Sequence, residues 1–288
     1  MRLRCVDDPA VFWQRVGAFL LDNEATYNLA IGIVRQAIDK PGCFGPGMFM
    51  ALVKEDETVK GAAVMTPGFP VVLTHGDDAA LSLIAETMVR QQLPVKGVVA
   101  PPGSASLFAE HYCRLQPDMV ARIDKEMCIY RLDAVIPPPR TVAGRMRTGT
   151  MRDLSVATDY LEGFVRVSGH SKLFDAETVV KSAIEEKRLF FWQTTHPVSM
   201  AVWVRETPNM KAVGYVYTPA SEEGKGYASH LVAEMSRECL ASGKRHCVLY
   251  ADCDNPVSNH IYQKLGYRFV DDSRQMIIEP KSASMNRG

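Results

Sequence analysis

The feature that most constrains the fold is a run near the C-terminal end in which apolar strands alternate with helices. A glycine loop at 223–228 separates the apolar run 211–217 from a helical pattern that begins at Tyr227. A second apolar run, 246–251, precedes a short helix at 257–265. Strands that alternate with helices in this way favour an α/β chain. We therefore expect a mixed α+β sheet with helices packed against it.

Three consecutive prolines divide the chain into halves of similar length. Pro137, Pro138 and Pro139 cannot continue a helix or a central strand, and they favour an extended segment. The 288 residues are long for one compact domain and suit two domains of about 140 residues each. We predict domains at 1–134 and 147–288, joined by a proline-rich linker at 135–146.

The two halves repeat one pattern of residues. Leu-Ile-Ala-Glu at 83–86 corresponds to Leu-Val-Ala-Glu at 231–234, and Pro-Gly-Ser at 102–104 corresponds to Pro-Val-Ser at 256–258. Both halves then carry a strand–helix–strand–helix order, which is consistent with a tandem duplication. Chance similarity and a shared fold class are the alternatives.

The chain is expected to end with a pair of short strands. Arg-Phe-Val at 268–270 and Gln-Met-Ile-Ile at 275–278 are the two segments of sufficient β-propensity after the last helix. We predict that they form two separate strands.

Charge and hydropathy argue against several classes of protein. The formal net charge is zero and the basic residues form no stripe, so nothing indicates a nucleic-acid partner. No window approaches the ~20 apolar residues of a membrane span, and the N-terminus lacks a signal-peptide stretch. The seven cysteines show no Cys-x-x-Cys spacing, so no zinc site is expected. We expect a cytoplasmic protein without a metal, nucleic-acid or membrane partner.

The glycine loop is a candidate anion-binding site. Gly224 and Gly226 lack a Cβ, so the backbone can turn tightly and approach a ligand closely. The amides of residues 223–228 would then point towards one centre at a helix N-terminus, where unpaired N–H groups and the helix dipole favour an anion. A pyrophosphate suits such a nest. A plain helix-start turn explains the same glycines about as well.

A tyrosine on the last short helix is the candidate catalytic residue. Asn255 suits the N-cap of this helix and Pro256 suits its first turn. Ser258 and Tyr262 are spaced i and i+4, so they share one face. A phenol can give a proton or a hydrogen bond to a leaving group. The alternative is that Tyr262 only packs beside Leu265.

These two motifs resemble the acetyl-CoA-binding core of the GNAT superfamily of acyl-CoA N-acyltransferases. The similar region covers about residues 190–270, with 216–229 and 255–267 as its motifs. The resemblance implies two GNAT-like domains in tandem, acetyl-CoA as the acyl donor, and Tyr262 as the general acid at sulfur. The strand end would contact pantetheine, the loop would bind the pyrophosphate, and the last helix would contact the lower arm. The implied cofactor-binding residues are Val216, Tyr217, Thr218, Glu223, Gly224, Lys225, Gly226, Tyr227, Ala228, Asn255, Ser258 and Asn259.

The chain departs from the family pattern at the loop. Ser221 stands where the family usually has Gln or Arg, and Glu223 stands where a basic residue is common. Carboxylates at 222 and 223 are unfavourable near a pyrophosphate unless they point to water, and Lys225 offsets part of their charge. We expect a modest affinity for the cofactor.

The N-terminal half lacks the residues that this chemistry needs. Its counterpart of the glycine loop, 74–78, has one glycine and two acids, and Phe108 stands opposite Tyr262. A phenyl ring cannot donate a proton. We predict a degenerate N-terminal domain that has lost cofactor binding and that forms a wall of the acceptor pocket or packs between the domains.

The predicted function is therefore acetyl transfer from acetyl-CoA to a primary amine, directly within a ternary complex. The expected acceptor is a small amine, an amino acid or an antibiotic-like metabolite, and a peptide amino terminus is the runner-up. A non-catalytic acyl-CoA sensor or regulatory module is the alternative of another class. The general base is left open among His170, Asp252 and Glu162.

Overall fold

The chain divides into two compact units in a computed structural model that describes residues 1–169 and 175–284. The N-terminal unit contains Met1–Cys128 together with the residues from Asp271 onward, and the C-terminal unit contains Ile129–Val270. This division assigns residues 129–146 to the C-terminal unit. It also assigns the residues from Asp271 onward, at the end of the chain, to the N-terminal unit.

The elements follow in chain order. The first half contains β1 (Arg2–Cys5), α1 (Pro9–Asp22), α2 (Glu24–Asp39), β2 (Phe49–Glu55), β3 (Thr58–Met65), β4 (Val71–Leu73), α3 (Asp78–Arg90), β5 (Gly97–Ala100), α4 (Pro102–Leu115) and β6 (Met119–Leu132). The second half contains β7 (Arg145–Thr148), α5 (Leu154–Ser168), α6 (Ala176–Glu185), β8 (Leu189–Gln193), β9 (Pro197–Glu206), β10 (Met210–Tyr217), α7 (Tyr227–Ala241), β11 (His246–Asp252), α8 (Pro256–Lys264), β12 (Arg268–Pro280) and α9 (Lys281–Ser284). Short 3-10 helices lie at Met151–Asp153 and Ala220–Glu222.

The two halves have the same topology. Each begins with a strand and two helices, continues with three strands, and then alternates helix, strand, helix, strand. In the sheets, β1 to β4 are antiparallel neighbours and β5 is parallel to β4. Likewise, β7 to β10 are antiparallel neighbours and β11 is parallel to β10. The expected mixed α/β fold with two similar halves is confirmed.

The expectation of two short strands at the end of the chain was wrong, because β12 is one continuous strand. In the sequence, the polar residues at 271–274 suggested an interruption between two strands. In the structure they have partners: Thr26 donates to the Asp271 carboxylate at 3.0 Å, and Arg274 donates through Nε to Glu126 at 2.7 Å. With its polar groups satisfied, β12 continues and pairs antiparallel with β5.

Helices cover the sheet of each unit and bury its apolar residues. In the N-terminal unit, α1 and α2 pack over one cluster that includes Phe12 and Ile31, and α3 and α4 pack over another that includes Ile84 and Phe108. In the C-terminal unit, α5 and α6 enclose Leu161, Val180 and Phe191, and α7 buries Leu231 and Met235. None of the helices among the described residues is long and apolar enough to cross a lipid bilayer.

The proline-rich segment is held against the C-terminal unit. Ile136 N–H donates to the Leu265 carbonyl at 2.9 Å, and the Trp192 indole N–H donates to the Ala143 carbonyl at 2.9 Å. Both ends of the segment are therefore fixed by hydrogen bonds, so it forms part of this unit rather than a free tether.

An ion pair fixes the junction between β7 and α5. The Arg147 guanidinium donates two hydrogen bonds to the Asp153 carboxylate, at 2.7 and 2.8 Å, and Thr150 donates from its N–H and its hydroxyl. The hydrogen bond from Arg147 is the main cause that lowers the pKa of Asp153 to about 2. A two-pronged, charge-assisted pair of this kind is stronger than a neutral hydrogen bond.

We expect Asp153→Asn to lower the free energy of unfolding by about 1–2 kcal/mol at pH 7, because the charged acceptor is lost. The folded pKa lies below the unfolded value of 3.8, so the carboxylate stabilises the fold above about pH 4 and this contribution is lost as the pH falls towards 2. Urea unfolding of both proteins at pH 7 and at pH 3 measures the difference, which should shrink at pH 3. Asp159→Asn, at an exposed position of α5, is the control and should change stability by less than about 0.5 kcal/mol.

Candidate functional site

The parallel strands β10 and β11 separate before they end. Their pairing joins Met210–Val213 to His246–Leu249, whereas β10 continues to Tyr217 and β11 continues to Asp252. Val213 is only 3% exposed, but the four residues that follow it in β10 are each partly exposed. We call the space between residues 214–217 of β10 and residues 250–252 of β11 the slot.

A bulge turns the end of β10 at the slot. The register with β9 shifts between Gly214 and Tyr217, and Tyr215 has a positive φ of 51°. This backbone region is uncommon for a residue with a side chain and occurs where a bulge re-aims a strand. The backbone groups of a strand end that lies beside an open slot can pair with an extended, amide-containing ligand.

The side chain of Ser199, on β9, holds the end of β10 in place. The Ser199 hydroxyl donates to the Tyr217 carbonyl at 3.2 Å and accepts from the Thr218 hydroxyl at 3.0 Å. Ser199 itself is fully buried. Thr218 is thus fixed by a side-chain hydrogen bond, and Val216 lies in the bulged part of the strand.

The glycine loop leads directly into α7. Gly224 and Gly226 have φ values of 74° and 88°, which only glycine adopts readily. Gly226 is the N-cap of α7 and has no side chain with which to cap the helix. The first backbone amides of α7 are therefore available to a ligand that accepts hydrogen bonds. A Cβ at Gly224 would meet nothing within 4 Å, so the space in front of the loop is open.

The two loop carboxylates are arranged so that they do not oppose an anion strongly. Glu223 is exposed to solvent. The Glu222 carboxylate accepts from the Lys225 ammonium at 2.9 Å and lies 3.6 Å from His196, and the hydrogen bond from Lys225 lowers the pKa of Glu222. The negative charge of Glu222 is therefore offset locally.

The helix α8 begins at the other side of the slot. Asn255 is its N-cap and accepts from Ser258 N–H at 3.0 Å, as the sequence predicts. The Asn259 side-chain amide donates to the carbonyls of Asp252 and Cys253, at 3.1 and 3.3 Å. Its carbonyl oxygen, Oδ1, is buried and has no hydrogen-bond partner among the described residues. A buried acceptor of this kind is costly unless a donor reaches it, so Asn259 is suited to receive an N–H group of a ligand.

Tyr262 lies on the buried face of α8. Its side chain is 9% exposed and its ring packs edge-on against Tyr267, with 6.0 Å between the ring centroids. Burial raises the pKa of Tyr262 to about 12. The phenol is therefore protonated at neutral pH, which is the form that can donate a proton or a hydrogen bond.

The N-terminal unit differs at the corresponding positions. The N-cap of α3 is Asp77, whose carboxylate accepts from Ala80 N–H at 2.9 Å. A side chain of the protein thus occupies one of the helix N-terminal amides of α3, whereas no side chain caps α7. Phe108, which corresponds to Tyr262, is fully buried and stacks on Tyr112 with 5.9 Å between the ring centroids.

Comparisons with known proteins place this arrangement in a fold family. Residues 191–276 match the family described as FR47-like protein. No curated protein matches the chain. A tandem GNAT protein from the clavulanic acid biosynthesis pathway is similar in structure, with a TM-score of 0.56, 12% identity, and coverage of 97% of this chain and 98% of that one. This chain has a tandem GNAT fold.

Two further solved structures have the same fold over nearly the whole chain. A GCN5-related N-acetyltransferase from Sphaerobacter thermophilus has a TM-score of 0.61 and 15% identity, and covers 96% of this chain and 95% of its own. A Drosophila protein has a TM-score of 0.70 and 12% identity, with coverage of 96% and 98%. At these identities the comparisons establish the GNAT fold and leave the substrates open.

The GNAT fold brings the sequence-predicted residues to one edge of the C-terminal sheet. β10 and β11 are parallel, so their carboxyl ends, the glycine loop and the start of α8 lie at the same edge. Each residue keeps the role of a candidate. They are carried by the end of β10, the glycine loop, the start of α7, and α8 with its N-cap: Val216, Tyr217, Thr218, Glu223, Gly224, Lys225, Gly226, Tyr227, Ala228, Asn255, Ser258, Asn259 and Tyr262.

The sequence did not single out His230, which adjoins the loop. His230 lies in the first turn of α7, its Nδ1 is 3.0 Å from the Gly226 carbonyl, and its ring lies 5.4 Å from that of Trp192. The spacing of His230 four residues after Gly226 is a local signal that could have identified it.

The sequence also did not predict a group of aromatic side chains beneath the slot. Tyr160 on α5 packs on Tyr217 at 5.5 Å and donates from its hydroxyl to the Pro197 carbonyl at 2.7 Å. Phe164, one turn further along α5, packs on Tyr215 at 5.6 Å. These contacts depend on the tertiary fold, so no local sequence pattern predicts them.

The structure describes two of the three candidates for a general base, Glu162 and Asp252. His170 lies outside the described residues. Glu162 is exposed on α5, and the Asp252 carboxylate accepts from Asp254 N–H at 2.9 Å. The general base therefore stays open.

Gly163 allows Tyr217 to lie against α5, and we expect Gly163→Ala to destabilise the C-terminal unit. A Cβ at this position would lie 2.5 Å from the Tyr217 hydroxyl oxygen, so the ring would have to move. The expected loss is about 1–2 kcal/mol, measured by urea unfolding. Gly103→Ala in α4 is the matched control, because a Cβ there meets nothing within 4 Å, and it should be neutral or slightly stabilising. Equal effects of the two substitutions would contradict the close approach of Tyr217.

Proposed function

We propose that the protein is an acetyl-CoA-dependent N-acetyltransferase whose working site lies in the C-terminal unit. The observation that supports this most directly is the presence of three features at one sheet edge: an open slot, a helix N-terminus capped only by glycine, and a buried protonated phenol. Each serves a different part of one reaction. The acceptor is a primary amine on a small molecule, an amino acid or an antibiotic-like metabolite.

The first two features suit the acyl donor. The pyrophosphate is a dianion that the amides of the α7 N-terminus and the glycine loop would bind. The pantetheine arm carries two amide groups, which would pair with the backbone of residues 214–217. Asn259 Oδ1, which is buried without a partner among the described residues, would accept an N–H group of the same arm. The anionic and the amide-containing parts of acetyl-CoA thus each have a matching group in the site.

The third feature suits the leaving group. The amine nitrogen attacks the thioester carbonyl carbon, a C–N bond forms, and the C–S bond breaks with release of a thiolate. Tyr262 gives its proton to this sulfur, and the amine loses a proton to a base or to water. Tyr262 is protonated at neutral pH, so its hydroxyl can serve as the donor when the thiolate develops. Transfer is direct, within a ternary complex.

The N-terminal unit, in this proposal, keeps the fold and has lost cofactor binding. The carboxylate of Asp77 occupies one of the amides that would bind a pyrophosphate, and its negative charge would repel a pyrophosphate. Phe108 has no proton to give. One acetyl-CoA per chain is therefore expected.

We expect Tyr262→Phe to lower kcat by about one to three orders of magnitude, because the proton donor is removed. The affinity for acetyl-CoA should be nearly unchanged, since the phenol contributes in the transition state. Steady-state kinetics and calorimetry measure the two quantities. Tyr112→Phe, a buried tyrosine of the N-terminal unit, is the control and should keep full activity. A fully active Tyr262→Phe enzyme would remove the phenol from the mechanism.

We expect Gly226→Asp to weaken acetyl-CoA binding by at least about tenfold, because it adds a negative charge and a side chain at the amides that receive the pyrophosphate. Calorimetric titration of acetyl-CoA measures the effect. Gly243→Asp is the matched control: Gly243 has the same φ of 88° and lies just beyond the other end of α7. Equal binding by the two variants would mean that the pyrophosphate binds elsewhere.

A further inference from the structure

A histidine in the first turn of α7 is bonded to the carbonyl group of the glycine that caps this helix. His230 Nδ1 lies 3.0 Å from the Gly226 carbonyl oxygen, and the His230 backbone N–H donates to the same oxygen at 3.2 Å. Because a carbonyl oxygen only accepts, the ring nitrogen Nδ1 must carry the proton of this hydrogen bond. Both lone pairs of the Gly226 carbonyl are then used by one residue.

The orientation of this carbonyl fixes the first amide of α7. The Gly226 carbonyl and the Tyr227 N–H belong to one peptide group, which is planar and trans, so they point in opposite directions. A carbonyl that is held towards His230, inside the first turn, therefore leaves the Tyr227 N–H directed out of the helix N-terminus. Under the proposed function, the pyrophosphate binds there.

The glycine loop benefits from such a restraint. Gly224 and Gly226 have φ values of 74° and 88°, and a glycine changes between positive and negative φ at little steric cost. If the peptide groups of a binding loop rotate in the free protein, the ligand must order them, and this cost lowers the affinity. A side chain that holds the Gly226 peptide group before the ligand arrives removes part of that cost.

The ring of His230 is held in its turn by a fixed tryptophan. Its centroid lies 5.4 Å from that of the Trp192 ring. Trp192 is buried, and its indole N–H donates to the Ala143 carbonyl at 2.9 Å. Val142, next to Ala143, approaches the same glycine, since a Cβ on Gly226 would lie 3.6 Å from Val142 Cγ1. The contacts that begin at Ala143 thus end at the Gly226 carbonyl.

The corresponding residue of the N-terminal unit is directed to a different partner. The repeated Leu-x-Ala-Glu segment places Ser82 opposite His230. The Ser82 hydroxyl donates to the Glu86 carboxylate, one turn further along α3, at 3.0 Å. At the start of α3 the cap is the Asp77 carboxylate. The side-chain bond to the cap carbonyl is thus found at the helix to which the proposed function assigns the pyrophosphate.

We propose that His230 is a positioning residue for the acyl donor, and that its Nδ1–H holds the Gly226 peptide group so that the Tyr227 amide faces the pyrophosphate. This inference rests on the proposed function. The ring nitrogen makes the bond, so another side chain that supplies an N–H at the same place can replace the histidine. Asparagine can do so, because its amide nitrogen reaches about the position of Nδ1.

The experiment separates the hydrogen bond from the packing of the ring. Calorimetry first measures acetyl-CoA binding to the unchanged full-length protein. His230→Phe keeps a ring beside Trp192 and removes the N–H donor, so it should weaken acetyl-CoA binding by about fivefold. His230→Asn removes the ring and keeps an N–H donor, so it should bind acetyl-CoA within about twofold of the unchanged protein. A role in packing alone predicts the opposite pattern.

Three further measurements complete the test. Urea unfolding checks that each variant is folded, and His230→Ala takes the place of His230→Phe if the latter does not fold. Ser82→Ala, at the counterpart position of the N-terminal unit, is the control and should leave the affinity for acetyl-CoA unchanged. The ligand 3′-dephospho-acetyl-CoA keeps the pyrophosphate and lacks only the 3′-phosphate, so His230→Phe should weaken its binding by the same factor.

Three results would overturn the inference and leave the proposed function standing, because the unchanged protein binds acetyl-CoA in each. His230→Phe could bind acetyl-CoA as tightly as the unchanged protein, or His230→Asn could lose as much affinity as His230→Phe. The loss could also be confined to acetyl-CoA, which would assign His230 to the 3′-phosphate instead. Absence of acetyl-CoA binding to the unchanged protein would remove the proposed function and the inference together.

Discussion

The separation of β10 from β11 beyond Val213 and Leu249 is the constraint on which the candidate site depends. Two parallel strands that stay paired use their facing backbone groups on each other. Where the strands separate, the N–H and C=O groups at their carboxyl ends can bind a ligand. The bulge at Tyr215 redirects β10, and Ser199 fixes the end of that strand. The glycine loop and α8 follow directly from these two strand ends, so the donor amides and the phenol come to the same edge.

The two units show how one topology can support different chemistry. Both have a helix that follows the fourth strand, but the N-cap of α7 is Gly226 whereas the N-cap of α3 is Asp77. A glycine leaves the first amides open and permits a positive φ, while an aspartate occupies an amide and adds a negative charge. The difference is local, and it does not disturb the packing of either helix on its sheet. The fold is thus preserved in both units while the requirements for anion binding are met in one.

Local signals in the sequence predicted much of the local structure around the candidate site. The cap at Asn255, the start of α7 at Tyr227 and the positive φ values of the loop glycines each depend on a few neighbouring residues, and the structure has them. The repeat of 83–86 at 231–234 predicted the tandem arrangement, since both segments lie in equivalent helices.

Features that depend on residues far apart in the sequence were not predicted. The continuity of β12 depends on Thr26 and Glu126, which are more than 140 residues away in the chain. The placement of Arg205 over Tyr250 requires the strand order, and the contact of Gly163 with Tyr217 requires the packing of α5 on β10. No periodicity or motif encodes such contacts.

Amide hydrogen exchange with and without acetyl-CoA is the most direct test that the C-terminal unit binds the cofactor. We predict that acetyl-CoA slows exchange at residues 214–217 of β10 and at the amides of residues 224–230, because the proposed function assigns cofactor binding to these groups. The corresponding amides of the N-terminal unit, at 74–80, should exchange at the same rate in both states. Protection at 74–80, or no protection at 214–217 and 224–230, would contradict the assignment of the working site to the C-terminal unit.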